Sequence, residues 1–427
     1  MSEINTTQWK VPFFTIWIGQ AFSLLGSMLV QFALVWWLTE ETGSATVLAM
    51  ASLVAMLPGV VVGPFAGALV DRWDRRRVMI VADSSIALVT LGLAVIYALG
   101  LMQPWHIYLA MFLRAIGGMF HWPAMQASTS LMVPKAQLAR IAGMNQTLQG
   151  VMNILAPPLG ALLLSILPLQ GILVIDVGTA LLAVLPLLFI AIPQPPGSPE
   201  ASGTKFNLFV DVYWGFKYIW NWKGLFLVLI LATLINFLLT PGFSLLPLLV
   251  TKHFGGEAIQ LGWMNSAWGI GIIAGGLILS IWAGFKHRIH TTLLGLVSIG
   301  VGTLALGLSP ANAFGWALAA MVFSGIATPI TNGPLMALLQ ELVAPEMQGR
   351  VFTTVHSLAA LMSPLGLAIA GPLSDRLGIQ SWFIVGGIGC LVMGIGAFFI
   401  PTIVRLEDER HLQAAVIEER SVLNPAD

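Results

Sequence analysis

Arg114 stands about nine residues into the otherwise uncharged apolar run 105–127. That places its guanidinium roughly 13 Å below the edge of the run, where a charge costs at least ~2.5 kcal/mol and normally faces a cavity or a partner. Two carboxylates enter neighbouring runs, Asp83 and Asp176. Each is counted five or six residues in, hence roughly 8 Å deep, a depth from which a side chain can snorkel to the boundary. Two roles are open to each of these three residues. Arg114 either has a functional role facing a cavity or partner or is a structural charge bonded to carbonyls, and each carboxylate is either a proton site or half of a structural pair. No carboxylate is expected at the midplane.

Polar side chains recur on the same runs at helical spacing. Gln20, Ser23, Ser27 and Gln31 form one stripe, Arg114 and His121 a second, Asn145, Gln149 and Asn153 a third, Asn236 and Thr240 a fourth, and Ser324, Thr328 and Thr331 a fifth. In lipid such groups seek the interior of a bundle. They serve as helix–helix bonds or, where equivalent runs all carry them, line a common cavity. Trp36, Trp122, Trp263 and Trp268 could supply such a cavity with aromatic faces that bind apolar rings and cations. Tryptophans also populate interfacial belts, and His121 suits helix packing as well as ligand or proton contact.

The elements that must carry these residues follow from composition. Of 427 residues 57% are hydrophobic and only 9% charged, with mean hydropathy +0.88. Soluble domains carry about 25% charge, so most of this surface is expected in lipid. Nineteen basic and nineteen acidic residues balance, which leaves no basic excess for nucleic acid. The single cysteine, Cys390, excludes an internal disulfide and Cys-rich metal sites. Apolar runs at 12–38, 46–70, 78–101, 105–127, 141–167, 171–193, 225–250, 261–283, 291–309, 313–340, 351–373 and 380–403 read as twelve spanning helices. The first is followed at once by a second span and lacks a strong basic leader, so it reads as a retained helix rather than a cleaved signal.

An even number of spans puts both termini on one side. Sixteen of the nineteen basic residues fall on that side, only Lys252 and Arg376 fall opposite, and Arg114 lies within a span. The asymmetry predicts cytoplasmic termini. The chain then reads as a six-helix bundle over 1–193, a Pro-rich linker over 194–224, a second bundle over 225–403 and a tail over 404–427. Within the linker Phe209, Val212, Phe216 and Ile219 recur at helical spacing beside Trp214, Trp220 and Trp222, as an interfacial helix or a loop helix packed on the bundle.

Short echoes support an all-α membrane protein of two six-helix bundles with three-helix inverted repeats. Gly67-Ala-Leu-Val-Asp71-Arg72 returns as Gly371-Pro-Leu-Ser-Asp375-Arg376, Val133-Pro134 with Arg140 returns as Ala344-Pro345 with Arg350, and Pro158-Leu-Gly160 returns as Pro364-Leu-Gly366.

The loop Gly67-Ala-Leu-Val-Asp71-Arg72-Trp-Asp74-Arg75-Arg76-Arg77 resembles the major facilitator motif G-x-L-x-D-R-x-G-R-R/K, matching at Gly67, Asp71, Arg72, Arg75 and Arg76 with Asp74 in place of glycine. The resemblance implies the major facilitator fold and a cytoplasmic latch that forms and breaks during alternating access. A purely topogenic basic loop is the plainer reading. Arg114-Ala-Ile-Gly-Gly118 resembles a second family motif, R-x-x-x-G, which implies a role in proton transfer. In the cytoplasmic loop of the second half, Glu341 and Arg350 are the corresponding charged candidates.

Further stretches are similar to the bacterial macrolide efflux branch: Ile16-Trp-Ile-Gly-Gln20-Ala21, Leu38-Thr-Glu-Glu-Thr-Gly-Ser-Ala45, Val133-Pro-Lys-Ala-Gln-Leu138 and Gly349-Arg-Val-Phe352. There Asp74 is usual. The antiporter motif of span five is degenerate, keeping proline and glycine in Ala156-Pro-Pro-Leu-Gly160 but losing other glycines. The resemblance implies a proton-driven exporter of macrolide-like amphipathic compounds in a bacterial cytoplasmic membrane. The chain is expected to work as a monomer among lipids, with the proton gradient as driving force and no cofactor.

Two alternatives stand beside it. One keeps the fold but moves a metabolite, siderophore or lipid, or works as an importer. The other is a membrane sensor or intramembrane enzyme. An enzyme needs a nucleophile with its base, or metal ligands, gathered at depth, and the runs hold no such His, Cys or acidic cluster. No Walker loop is present to use ATP.

Overall fold

The structure, a computed structural model, describes residues 9–70, 73–193, 216–220, 222–343 and 345–407. Its regular elements are helical. They are α1 (Lys10–Thr42), α2 (Ala45–Val61), α3 (Gly63–Val70), α4 (Arg75–Ala98), α5 (Pro104–Met132), α6 (Leu138–Ile166), α7 (Leu169–Phe189), α8 (Lys223–Leu248, running into a π turn at Leu249–His253), α9 (Ala258–Trp282), α10 (Arg288–Gly307), α11 (Phe314–Leu342), α12 (Pro345–Leu377), α13 (Gln380–Phe398) and the short α14 (Pro401–Val404). Ten of the rods are long and apolar enough to cross a membrane. The remaining two crossings are α5, whose hydropathy is lowered by Arg114 and its polar neighbours, and the second run, which forms two helices in line, α2 and α3, joined at Val62 just after Pro58. Large apolar side chains point outward, among them Ile281, Phe189 and Phe399 at more than 80% exposure, as lipid contact requires.

Local sequence sets the ends. Gly43, with φ of 56°, closes α1 by donating its N–H to the Thr39 carbonyl at 3.0 Å, a left-handed conformation natural to glycine. Ser44 then caps α2, and the Asp74 carboxylate caps α4 by accepting the Arg77 N–H at 2.9 Å. Asp74 therefore replaces the motif glycine with an N-cap.

The backbone groups into two compact units. The first is drawn from Met1–Phe206, Ser244–Ser266 and Leu367–Asp375, so it includes short pieces of the second sequence half. Its core gathers Trp9, Phe13, Ile16, Val70, Met79, Ala124, Ile141 and Leu187. One of the late pieces is bonded to α2. Asp375, 330 residues further along the chain, accepts the Ala45 N–H at 2.7 Å, the Thr46 N–H at 2.9 Å and hydroxyls from Ser44 and Thr46 at 3.0 and 2.7 Å. Beside it Gly371 lies so close to α2 that a Cβ would sit 2.8 Å from the Thr46 Cα.

The second unit is drawn from Asn207–Phe243, Ala267–Gly366 and Arg376–Asp427. Here α9 and α11 cross at glycines. A Cβ on Gly271 would lie 2.3 Å from the Val322 carbonyl oxygen, one on Gly275 2.2 Å from that of Ile326, and one on Gly325 2.3 Å from that of Trp268. This is the small-residue packing that lets membrane helices touch backbone to backbone.

Of the expected linker helix, Phe209, Val212 and Trp214 lie outside the described residues. Residues 216–220 are helical, with Ile219 fully buried against Leu225, Leu339 and Val351. The first residues past α14 also pack: Leu406 is buried, and Glu407 accepts the Arg288 N–H at 2.8 Å.

Candidate functional site

In the first unit α1, α4, α5 and α6 surround a cavity of about 380 Å³. Its wall includes Gln20, Ser23, Ser27 and Gln31 from α1, Asp83 from α4, Arg114, His121 and Trp122 from α5, and Asn145 and Gln149 from α6. Three of the polar stripes thus face one space. Asn153, the last member of its stripe, is exposed and lies outside that space, because the lining face of α6 ends at Gln149.

Two polar networks meet at this cavity. In one, Arg114 donates to the Asp176 carboxylate at 2.6 Å, with the two side chains 10% and 1% exposed. Thr90 donates to the same carboxylate at 3.0 Å and Ser27 at 3.3 Å, while Arg114 also bonds the Thr90 hydroxyl. Arginine stays protonated in proteins, so this pair is a neutral unit with its carboxylate fully engaged. In the other network Gln20 bridges two ionisable groups. Its amide nitrogen donates to Asp83 at 2.9 Å, its amide oxygen lies 2.8 Å from His121 Nε2, and His121 is itself 3.4 Å from the other Asp83 oxygen.

These contacts hold both acids inside the bundle. Asp83 is 4% exposed and Asp176 1%, and neither snorkels. Counted along the helices, Asp83 lies about 12 Å from the start of α4 and Asp176 about 10 Å from the start of α7. The partners that hold them there, Gln20, Thr90 and Arg114, come from other helices. Thr90 carries no periodic signal, being a lone threonine in an apolar run, and Trp17 is hidden for a similar reason; its indole donates to Asn145 at 2.7 Å.

The second unit holds its own cavity, of about 280 Å³, lined by Asn236, Thr240, Phe243, Trp268, Ser324, Thr328 and Thr331. Trp268 packs edge-on to Phe243 with ring centroids 5.0 Å apart. Of the other tryptophans expected at a cavity wall, Trp36 is buried in helix packing at 4% exposure and lines neither cavity, and Trp263 is half exposed away from both.

For the loop motif, Gly67 sits within α3, whereas Asp71 and Arg72 lie outside the described residues. Arg75 is buried at the start of α4, and Arg76 bonds the Leu187 carbonyl and, at 2.7 Å, that of Leu188. Arg76 thereby ties the start of α4 to the end of α7. Glu341 pairs with Arg288, both half exposed; Arg350 lies in α12, and its side chain is outside the described ones.

Comparison with known proteins decides the family. The model described as Major Facilitator Superfamily matches residues 16–367. The chain belongs to that superfamily. Macrolide efflux protein A of Streptococcus pyogenes is 35% identical over 399 residues, covering 93% of this chain and 98% of that protein. The multidrug efflux pump Tap of Mycolicibacterium fortuitum is 26% identical over 394 residues, covering 90% and 94%. Among solved structures, a bacterial homologue of the human lysosomal transporter Spinster superposes with TM-score 0.71 at 13% identity, covering 95% of this chain and 99% of that one. The D-xylose-proton symporter gives 0.61 at 14%, covering 89% and 97%. This major facilitator protein is accordingly a multi-pass membrane transporter and not an enzyme.

Proposed function

We propose that this transporter exports amphipathic compounds of the macrolide type by proton antiport, alternating access between the two faces of a bacterial cytoplasmic membrane, with both termini cytoplasmic. The observation that carries the reading is the near-full-length match at 35% identity to a protein named for macrolide efflux. The lining supports it. Trp17 and Trp122 offer aromatic faces beside amide groups in the first cavity, and Trp268 does so in the second, a mixture suited to large ring systems bearing a weakly basic amine. The sixteen-to-two distribution of basic residues supports the orientation. The basic loop from Gly67 to Arg76 acts as the cytoplasmic latch, and the proton gradient is the driving force. A wider drug range is a second reading, favoured by the match to Tap.

Labelled erythromycin accumulation in bacteria stripped of their own pumps tests this. Cells making the wild-type protein are expected to hold several-fold less label than vector controls, a difference that a protonophore abolishes and Arg114→Ala removes. Equal label in wild-type and vector cells would overturn the macrolide assignment, and a drug panel then identifies another range.

A further inference from the structure

We propose that the proton exchanged in each cycle is held by the Asp83–His121 pair, and that the deprotonated pair is the binding site for a monocationic amine substrate. This rests on the antiport reading above and deepens it.

The two networks around the first cavity differ in what a proton can do to them. Asp176 faces Arg114, whose charge is permanent, and it also accepts from Thr90 and Ser27. Protonating it would leave the Arg114 charge buried without a counter-ion, which is strongly unfavourable. Asp83 has no such partner. The group facing it is His121, the one side-chain type whose unperturbed titration falls near neutrality. Asp83 and His121 together therefore hold one proton with no net charge, either as carboxylate with imidazolium or as carboxylic acid with imidazole. Loss of that proton leaves one negative charge, because Arg114 and Asp176 already cancel.

A single negative charge in a buried cavity is costly unless it is paired. The described neighbours supply no fixed cation for it. On the packed elements the other titratable groups within the spans are Arg114 on α5 and Asp176 on α7, which engage each other. Tyr97 on α4 and His106 and Tyr108 on α5 lie toward the opposite helix ends and do not line the cavity. The remaining source of positive charge is the substrate. An amphipathic ammonium ion would set its charge against Asp83 and its apolar rings against Trp17 and Trp122. Proton and ammonium then compete for one carboxylate. Gln20, bonded to both members of the pair, holds Asp83 and His121 in register whether or not the proton is present.

The charge balance is simple: one proton leaves as one monocation binds, and the reverse occurs on the other face. The exchange is electroneutral. It is therefore driven by a pH gradient and not by membrane potential alone.

The test uses the purified full-length transporter and labelled erythromycin, a tertiary amine that is cationic at neutral pH. In detergent, a pH dye should report about one proton released per erythromycin bound, and apparent affinity should weaken by about tenfold per pH unit on the acid side, as one-proton competition requires. Asp83→Asn should abolish the release and flatten the pH dependence, and His121→Gln should shift the pH profile. In vesicles, wild type should accumulate substrate under an imposed pH gradient but not under a potassium diffusion potential. Asp83→Asn should bind erythromycin more weakly and should not accumulate it under the pH gradient. Absent proton release, or a variant pair that keeps the wild-type pH slope, overturns the proposal. If wild-type vesicles fail to couple erythromycin to the pH gradient at all, the antiport reading itself falls.

Discussion

Asp176 and Arg114, sixty-two residues apart in sequence, are joined at 2.6 Å with almost no exposure to the surroundings. Each makes the other's charge tolerable. Removing one leaves an uncompensated buried charge, a loss of about 3–5 kcal/mol in comparable buried pairs.

Arg114→Gln and Asp176→Asn, made singly, should therefore lower stability more than the double change Arg114→Gln/Asp176→Asn. Thermal unfolding of the purified protein in detergent provides the comparison. If the two single losses simply add in the double variant, the pair is not the coupled unit its geometry describes.

The Asp375 carboxylate provides four acceptor contacts to residues 44–46 at the N-terminus of α2. Loss of an N-terminal cap costs about 1–2 kcal/mol, and charged acceptors are the stronger kind. Asp375→Ala should reduce the unfolding temperature more than Asp375→Asn, which keeps one acceptor oxygen. Identical midpoints for wild type and Asp375→Ala would contradict this.

Adjacent glycines in α9 offer an internally controlled pair. A Cβ at Gly275 would meet the Ile326 carbonyl oxygen at 2.2 Å, whereas one at Gly276 meets nothing within 4 Å. Gly275→Ala must push α9 and α11 apart and should sharply reduce the yield of folded protein. Gly276→Ala should be neutral or stabilising by up to about 1 kcal/mol through helix propensity. Monodisperse yield after size-exclusion chromatography separates them; equal yields would mean the helices do not touch at Gly275.

Much of this arrangement is legible in the residues themselves. Charge-free runs bounded by basic clusters mark where helices lie, since each span must exclude unpaired charge. Helical spacing of Gln20, Ser23, Ser27 and Gln31 correctly puts them on one face, and that face lines the first cavity. The acids are harder to place. Hydropathy locates the edge of an apolar run, but not which neighbouring helices bury a carboxylate inside it, and Asp83 and Asp176 are 4% and 1% exposed rather than snorkelling. Their partners lie on different helices: Gln20 and Arg114 stand in stripes of their own, but nothing in the spacing matches them to Asp83 and Asp176, and Thr90 stands in no stripe. Trp36 misleads for a related reason: its type fits a cavity wall, but its direction is set by neighbouring helices that pack around it. The clasp at Asp375 is visible only as an echo of Gly67-Ala-Leu-Val-Asp71-Arg72, with nothing in the echo to name α2 as its target.

That clasp also imposes an order in time. A ribosome releases α2 long before it reaches residue 375, and 330 residues separate the carboxylate from the Ala45 amide that it caps. Until α12 has been inserted, the first two backbone N–H groups of α2 must find other acceptors. The first unit of this transporter consequently reaches its final bonding late in synthesis, after nearly the whole chain has been made.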